Sequence, residues 1–221
     1  VIEILVVDDQ GLIRNAVRDL VAQEADLRLV GSAENGIEAV RMTRDLRPDV
    51  VVMDVRMPLL DGIEATRMIT HDPELGDVRV LILTTFDDDP DYVVRGVQSG
   101  ASGFVGKSAE PDVLVAAIRT VHQGDGLLSP RATRHLLDRH AGAPVSGEVH
   151  PDLARLTERE LDVLRHVAEG RTNQQIADRL GITVLTVKTH INRTMAKVGR
   201  HDRSQLVVLA YETGLVIPHY R

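Results

Sequence analysis

Within residues 1–122, a short aliphatic run gives way five times to a stretch with apolar residues at helical spacing. The aliphatic runs are 2–7, 27–33, 50–53, 78–84 and 102–105, and the helical stretches 12–25, 36–45, 62–71, 91–99 and 111–122. Runs such as Ile4-Leu5-Val6-Val7 and Val50-Val51-Val52-Met53 are apolar at every position. A strand of that kind needs cover on both faces, which is the condition of a parallel sheet between helices. Strict strand–helix alternation with right-handed crossovers then specifies an α/β doubly wound five-stranded parallel sheet. In such sheets binding sites form outside the carboxyl ends of the strands. Asp8 and Asp9, Asp54, Thr84 and Lys107 all fall at or just past such ends.

The pattern changes at Gly124-Asp125-Gly126. A short helix is expected over 130–137, and 141–151 holds two Gly, two Pro and one Ser, the composition of a flexible linker. The chain therefore divides into a domain at 1–122, a connecting segment at 123–151 and a second domain at 152–221. The second domain reads as small and all-α. Thr157, Thr172 and Thr183 can cap helices, and Glu160 sits three residues after Thr157. Gly170, Gly181, Gly199 and Gly214 mark helix ends. Four helices result, near 158–169, 173–180, 184–198 and 203–213. The second and third, joined through Gly181, have the lengths and turn of a helix-turn-helix.

Charge separates along the same line. Residues 1–122 carry 22 Asp/Glu against 12 Lys/Arg, net -10, and the remainder carries 11 against 14, net +3. An acidic half joined to a basic half suits a chain of which only the second part meets a polyanion. No cysteine is present, which excludes a disulfide framework, a thiolate metal site and a catalytic thiol. The first residues lack a signal-peptide pattern and no apolar run is long enough to span a membrane, so no membrane partner and a cytoplasmic location are expected.

Carboxylates from strands one and three converging on one spot repel each other and need a cation. An all-oxygen set of this size suits Mg²⁺. A bound Mg²⁺ would neutralise phosphate oxygens and let one Asp attack phosphorus. Lys107 can pair with Asp54 or with a phosphoryl oxygen, and the Thr84 hydroxyl can donate to the same group. Each residue also has a plainer explanation. Asp8-Asp9 can simply begin a helix, Lys107 can be a surface charge, and Thr84 can be satisfied by backbone. Their placement at four strand ends together favours the site.

In the second domain, the 184–198 stretch sets Leu185, Val187, Ile191, Met195 and Val198 mostly in an apolar stripe. Thr186, Lys188, Thr189, Asn192 and Arg193 occupy the rest of its first half, and Lys197 adds charge. Such residues can meet base edges or phosphates in a major groove. The plainer reading is a solvated helix face.

The runs Val6-Val7-Asp8-Asp9-Gln10, Val52-Met53-Asp54-Val55-Arg56-Met57-Pro58, Leu83-Thr84-Thr85-Phe86 and Gly103-Phe104-Val105-Gly106-Lys107 resemble the receiver domains of two-component response regulators. Leu156-Thr157-Glu158-Arg159-Glu160, Gly170-Arg171-Thr172-Asn173-Gln174-Gln175 and Thr186-Val187-Lys188-Thr189-His190-Ile191-Asn192-Arg193 resemble the LuxR-type domain of the NarL/FixJ family. The first resemblance implies that Asp54 is the phosphoacceptor, served by a sensor histidine kinase. It implies that Asp8, Asp9, Asp54 and the Arg56 carbonyl hold Mg²⁺, that Thr84 and Lys107 contact the phosphoryl group, and that Phe104 is the switch aromatic. The second implies a homodimer on double-stranded promoter DNA. Thr186, Lys188, Thr189, Asn192, Arg193 and Lys197 would touch the DNA, and Val207, Val208, Tyr211 and Leu215 would form the dimer contact. Leu185 departs from the family, where small or polar residues are usual. It implies either altered packing or an apolar base contact. Asp87-Asp88-Asp89 adds unusual negative charge beside Thr84. A dedicated phosphohydrolase is disfavoured, because no second acid–base carboxylate and no cap domain are visible. A phosphorylation-independent DNA-binding regulator, or a protein-interaction module, is the remaining alternative.

Overall fold

The computed structural model describes residues 1–85, 90–124, 150–200 and 202–216. Asp87-Asp88-Asp89, nearly all of the 123–151 connection and the helix expected over 130–137 lie outside the described residues. The chain divides into two compact units, Val1–Leu127 and Leu128–Arg221.

The first unit is a five-stranded parallel sheet in the order β2-β1-β3-β4-β5. Its strands are β1 Ile2–Val7, β2 Leu27–Ala33, β3 Val50–Asp54, β4 Arg79–Thr84 and β5 Gly103–Gly106. Helices α1 Gly11–Val21, α2 Gly36–Leu46, α3 Gly62–Thr70, α4 Pro90–Gln98 and α5 Pro111–His122 alternate with them. Successive side chains on a strand face opposite ways, so each strand feeds two cores. Ile4, Val6, Val50 and Val52 join α1 and α5 residues such as Val17, Val21, Leu114 and Ile118. Leu5, Val7, Val51 and Met53 join Ala39 and Val40 of α2 and Ala65 and Ile69 of α3. All five residues of β3 are buried. Complete burial of each aliphatic side chain stabilises by roughly 1.5–3 kcal/mol, which is why the central strand reads as an unbroken apolar run.

Helix α1 stops at Val21 rather than continuing to residue 25. Residues 22–26 turn back toward β2 instead, with the Leu27 N–H donating to the Glu24 carbonyl. Arg119 of α5 reaches this turn, donating to Glu24 at 2.7 Å and Asp26 at 2.6 Å.

In the second unit a short 3-10 turn, Leu153–Arg155, precedes α6 Glu158–Ala168, α7 Asn173–Leu180, α8 Val184–Val198 and α9 Arg203–Glu212. Thr157–Glu160 and Thr172–Gln175 form complete capping boxes at α6 and α7. Gly181 (φ 65°) and Gly199 (φ 63°) end α7 and α8 in the left-handed region, where glycine carries no Cβ penalty. One core gathers Val163, Leu164, Ile176, Val187, Ile191 and Leu206, and Leu153 of the unanticipated 3-10 turn anchors into it.

Candidate acidic site and nucleic-acid interface

The order β2-β1-β3 places the topological switch of the sheet beside β1, and Asp8, Asp9 and Asp54 emerge there. One carboxylate oxygen from each lies within 4.8 Å of the others, a cluster able to hold a metal ion. Asp8 and Asp54 are buried, while Asp9 is exposed. Asp8 shapes the turn that leads into α1, because its Oδ1 accepts the Gln10 N–H at 2.9 Å. Its other oxygen is buried and has no hydrogen-bond partner. Lys107 Nζ lies 2.7 Å from that oxygen, an ion-pair distance that lacks hydrogen-bonding alignment, and 3.0 Å from Asp54 Oδ1. A buried carboxylate oxygen without a hydrogen bond, next to two further carboxylates, is the donor set a hard cation takes. Arg14 of α1 steadies the strand end by donating to the Asp8 and Asp9 carbonyls at 2.7 and 3.2 Å.

Burial raises the Asp54 carboxyl above its ordinary value, the Lys107 hydrogen bond opposes this, and the Asp8 charge adds to it. For Lys107 burial works against the charge, but the adjoining carboxylates of Asp8 and Asp54 outweigh it and the ammonium is held more firmly protonated than usual.

Thr84 pairs with Gly106 in the β4–β5 ladder, and its carbonyl accepts the Lys107 N–H at 2.8 Å. Thr84 lies one step, and Lys107 two steps, beyond the level of Asp54, which pairs with Leu83. Phe104 is buried at 4% exposure. Its ring lies against Gly96 of α4, where a Cβ would come within 2.8 Å of ring carbons Cε1 and Cζ. Gly96 escaped the sequence reading, since nothing local distinguishes a glycine that seats a distant ring. Gly62 is tighter still, for a Cβ there would stand 1.8 Å from the Asp54 carbonyl oxygen. The Gly62 N–H donates to the Val55 carbonyl at 2.9 Å. Only glycine lets α3 begin this close to the acidic residue. Between them, Leu60 N–H donates to the Pro58 carbonyl at 2.8 Å, closing a three-residue turn on Leu59, which holds φ 69° and is exposed. Exposed Arg56 donates to Thr85 Oγ1 at 3.2 Å.

In the second unit, Val187, Ile191, Thr194 and Val198 of α8 are buried. Asn192, Arg193 and Thr189 are exposed, and Thr186 and Lys188 partly so. Arg203 ties the start of α9 to the start of α7 by donating to Asn173 Oδ1 at 2.8 Å and to the Arg171 carbonyl. Lys197, expected at the DNA, is partly exposed and also makes a contact within the domain. Its ammonium donates to Glu160 Oε2 at 2.7 Å, and Glu160 also accepts the Thr157 N–H at 2.8 Å. Glu160 is 3% exposed, so its charge needs a partner inside the domain and Lys197 supplies it. The residues expected at a dimer contact are also largely interior. Val207 and Tyr211 belong to the core, with the Tyr211 hydroxyl donating to the Ala168 carbonyl at 2.9 Å. Val208 is buried and Leu215 half-buried.

An acidic pocket at the switch point of a doubly wound sheet, followed by a helix-turn-helix unit, is the arrangement of a receiver domain joined to a DNA-binding domain. Comparison with known proteins gives the same division. Residues 4–119 match the family of response regulator receiver domains, and residues 154–210 match the luxR family of bacterial regulatory proteins. The chain is 35% identical to the transcriptional regulatory protein LnrK of Bacillus subtilis, over 98% of this chain and 99% of the relative. It is 36% identical to LiaR of the same organism, over 97% and 99%. Among solved structures, the response regulator ChrA of a heme-sensing two-component system matches with TM-score 0.52 and 30% identity, covering 97% of this chain and 98% of that one. The chain belongs to the LuxR-type response regulators of two-component systems, whose architecture is that of transcription control rather than of a dedicated enzyme. No helix among the described residues is long and apolar enough to cross a membrane.

Proposed function

We propose that Asp54 accepts a phosphoryl group from a sensor histidine kinase and that this modification controls sequence-specific DNA binding by α8, in the cytoplasm. The observation that carries the reading is the convergence of Asp8, Asp9, Asp54 and Lys107 at one end of the sheet. Asp8, Asp9 and Asp54, with the Arg56 carbonyl, would hold Mg²⁺, which neutralises phosphoryl oxygens when bound. Lys107 keeps Asp54 ionised against its burial, so that an oxygen lone pair is available to attack phosphorus. The Asp54 O–P bond forms as the kinase's N–P bond breaks, and the electron pair returns to the kinase imidazole. Thr84 and Lys107 contact the transferred oxygens. A new dianionic group at the strand end redistributes charge beside Thr84, and the Phe104 ring on Gly96 is the packed element able to transmit it to α4. Slow self-dephosphorylation, by water attack at phosphorus, returns the carboxylate.

Thr186, Lys188, Thr189, Asn192 and Arg193 form the DNA-reading face, and Lys197 supports the helix from behind through Glu160. Homodimerisation on DNA would use the last helix, with Val208 and Leu215 as contacts and Val207 and Tyr211 as their backing in the core. The test is labelling of the full-length protein with a small-molecule phosphodonor and Mg²⁺. Hydroxylamine-sensitive label is expected in the wild type and absent from Asp54→Ala. An unlabelled wild type, or label retained by Asp54→Ala, refutes the phosphoacceptor assignment.

A further inference from the structure

Helix α8 presents an apolar side chain on the face assigned to DNA. Leu185, its second residue, is 74% exposed. Residues of an α-helix advance about 100° each. Leu185, Lys188, Thr189 and Asn192 therefore share an arc of about 100°, and buried Val187, Thr194 and Val198 lie on the far side. Leu185 is thus held in the middle of the polar face, with almost no cover from its own chain.

The neighbouring hydroxyls are already engaged. Thr189 Oγ1 donates to the Leu185 carbonyl at 2.9 Å. Thr186 Oγ1 lies 2.9 Å from Thr183 Oγ1, which also caps the helix by accepting the Thr186 N–H at 3.1 Å. The two threonine hydroxyls of the first turn and a half are thus engaged within the helix, beside one exposed, branched apolar side chain. In the major groove, the apolar feature presented by a base pair is the thymine C5 methyl group.

We infer that Leu185 is a specificity-determining residue that selects thymine at one position of the target by contact with its C5 methyl. The inference rests on α8 being the DNA-reading helix. A hydroxyl-bearing or smaller residue at the same place would leave that position free, so Leu185 narrows the sequence preference of this chain.

The test is selection of binding sites from random duplex DNA by the full-length protein treated with a phosphodonor, for wild type, Leu185→Ala and Leu185→Met. Wild type and Leu185→Met are expected to enrich thymine at one shared position, and Leu185→Ala to lose preference there alone. Replacing that thymine by deoxyuridine removes only the methyl group. It should weaken wild-type binding about fourfold, the change expected for one buried methyl, and leave Leu185→Ala unchanged. Thymine enrichment that persists in Leu185→Ala, or an equal deoxyuridine effect in both proteins, overturns the inference while leaving α8 as the reading helix. A wild type that enriches no sequence overturns the DNA-reading assignment, and this inference with it.

Discussion

Lys107→Met removes the cation that Asp8 and Asp54 share and keeps most of the aliphatic stem in place. Lys107 lies 2.7 Å from one carboxylate and 3.0 Å from the other, with both acids and its own side chain nearly out of solvent. Breaking a buried ion pair by removing one partner costs about 3–5 kcal/mol. A second route to the magnitude sets a ceiling, because the site can take up a proton instead of holding two unpaired charges. Carrying that proton at pH 7 on a carboxyl whose ordinary value is 3.8 costs about 4.4 kcal/mol, at about 1.36 kcal/mol per pH unit. The two agree, and the second adds a sign. Asp54 is already raised in the folded state by burial, and the loss of Lys107 raises it further. The folded protein then binds more protons than the unfolded one, so its stability falls as pH rises above 3.8. At pH 5 the same ceiling is only about 1.6 kcal/mol.

Calorimetric scans of the full-length wild type and Lys107→Met from pH 5 to pH 7.5 measure this directly. The receiver is the transition that moves between the two proteins. The gap should widen steadily with pH, and Mg²⁺ should narrow it at pH 7 by returning positive charge to the pocket. A gap of the same size at pH 5 and pH 7 would show that Lys107 contributes packing rather than charge compensation, and would refute the electrostatic account of the site.

The second domain should respond to pH in the opposite sense. Glu160 is penalised by burial, but the Lys197 and Thr157 hydrogen bonds outweigh this and hold its carboxyl below the usual value. Stability from this group is present above pH 4.5 and lost as pH falls through the folded value. Lys197→Met should therefore cost that domain roughly 1–2 kcal/mol near pH 7, reduced from a fully buried pair because Lys197 is 37% exposed. The cost should shrink on acidification, followed by calorimetry on the same chain. In the receiver, Gly96→Ala puts a methyl group 2.8 Å from the Phe104 ring and should cost about 1–3 kcal/mol by overpacking. Hydrogen exchange should show faster opening of β5 and α4, with the β1–β3 ladder unchanged.

What the sequence disclosed, and what it hid, follows from the range of the interactions. Strand identity in β3 is carried by Val50–Met53 themselves, because burial on both faces favours an apolar residue at every step before the terminal Asp54. The capping boxes at Thr157 and Thr172 are likewise complete within four residues, so both helix starts are legible. The carboxylate cluster is legible for a topological reason, since parallel strands deliver their carboxyl ends to one edge and acids at those ends must meet. Features set by distant partners are not. The turn after α1 is tied to Arg119, Phe104 is seated on Gly96, and Lys197 is paired with Glu160, 37 residues earlier. Lys197 shows the difficulty most clearly. A lysine near the end of a recognition helix has the right charge for a phosphate, and only the buried carboxylate on α6 reveals that its charge is already matched. Leu185 is the converse case. Its departure from the family left altered packing and an apolar base contact both open, and the structure turns the side chain outward among Lys188, Thr189 and Asn192, largely exposed.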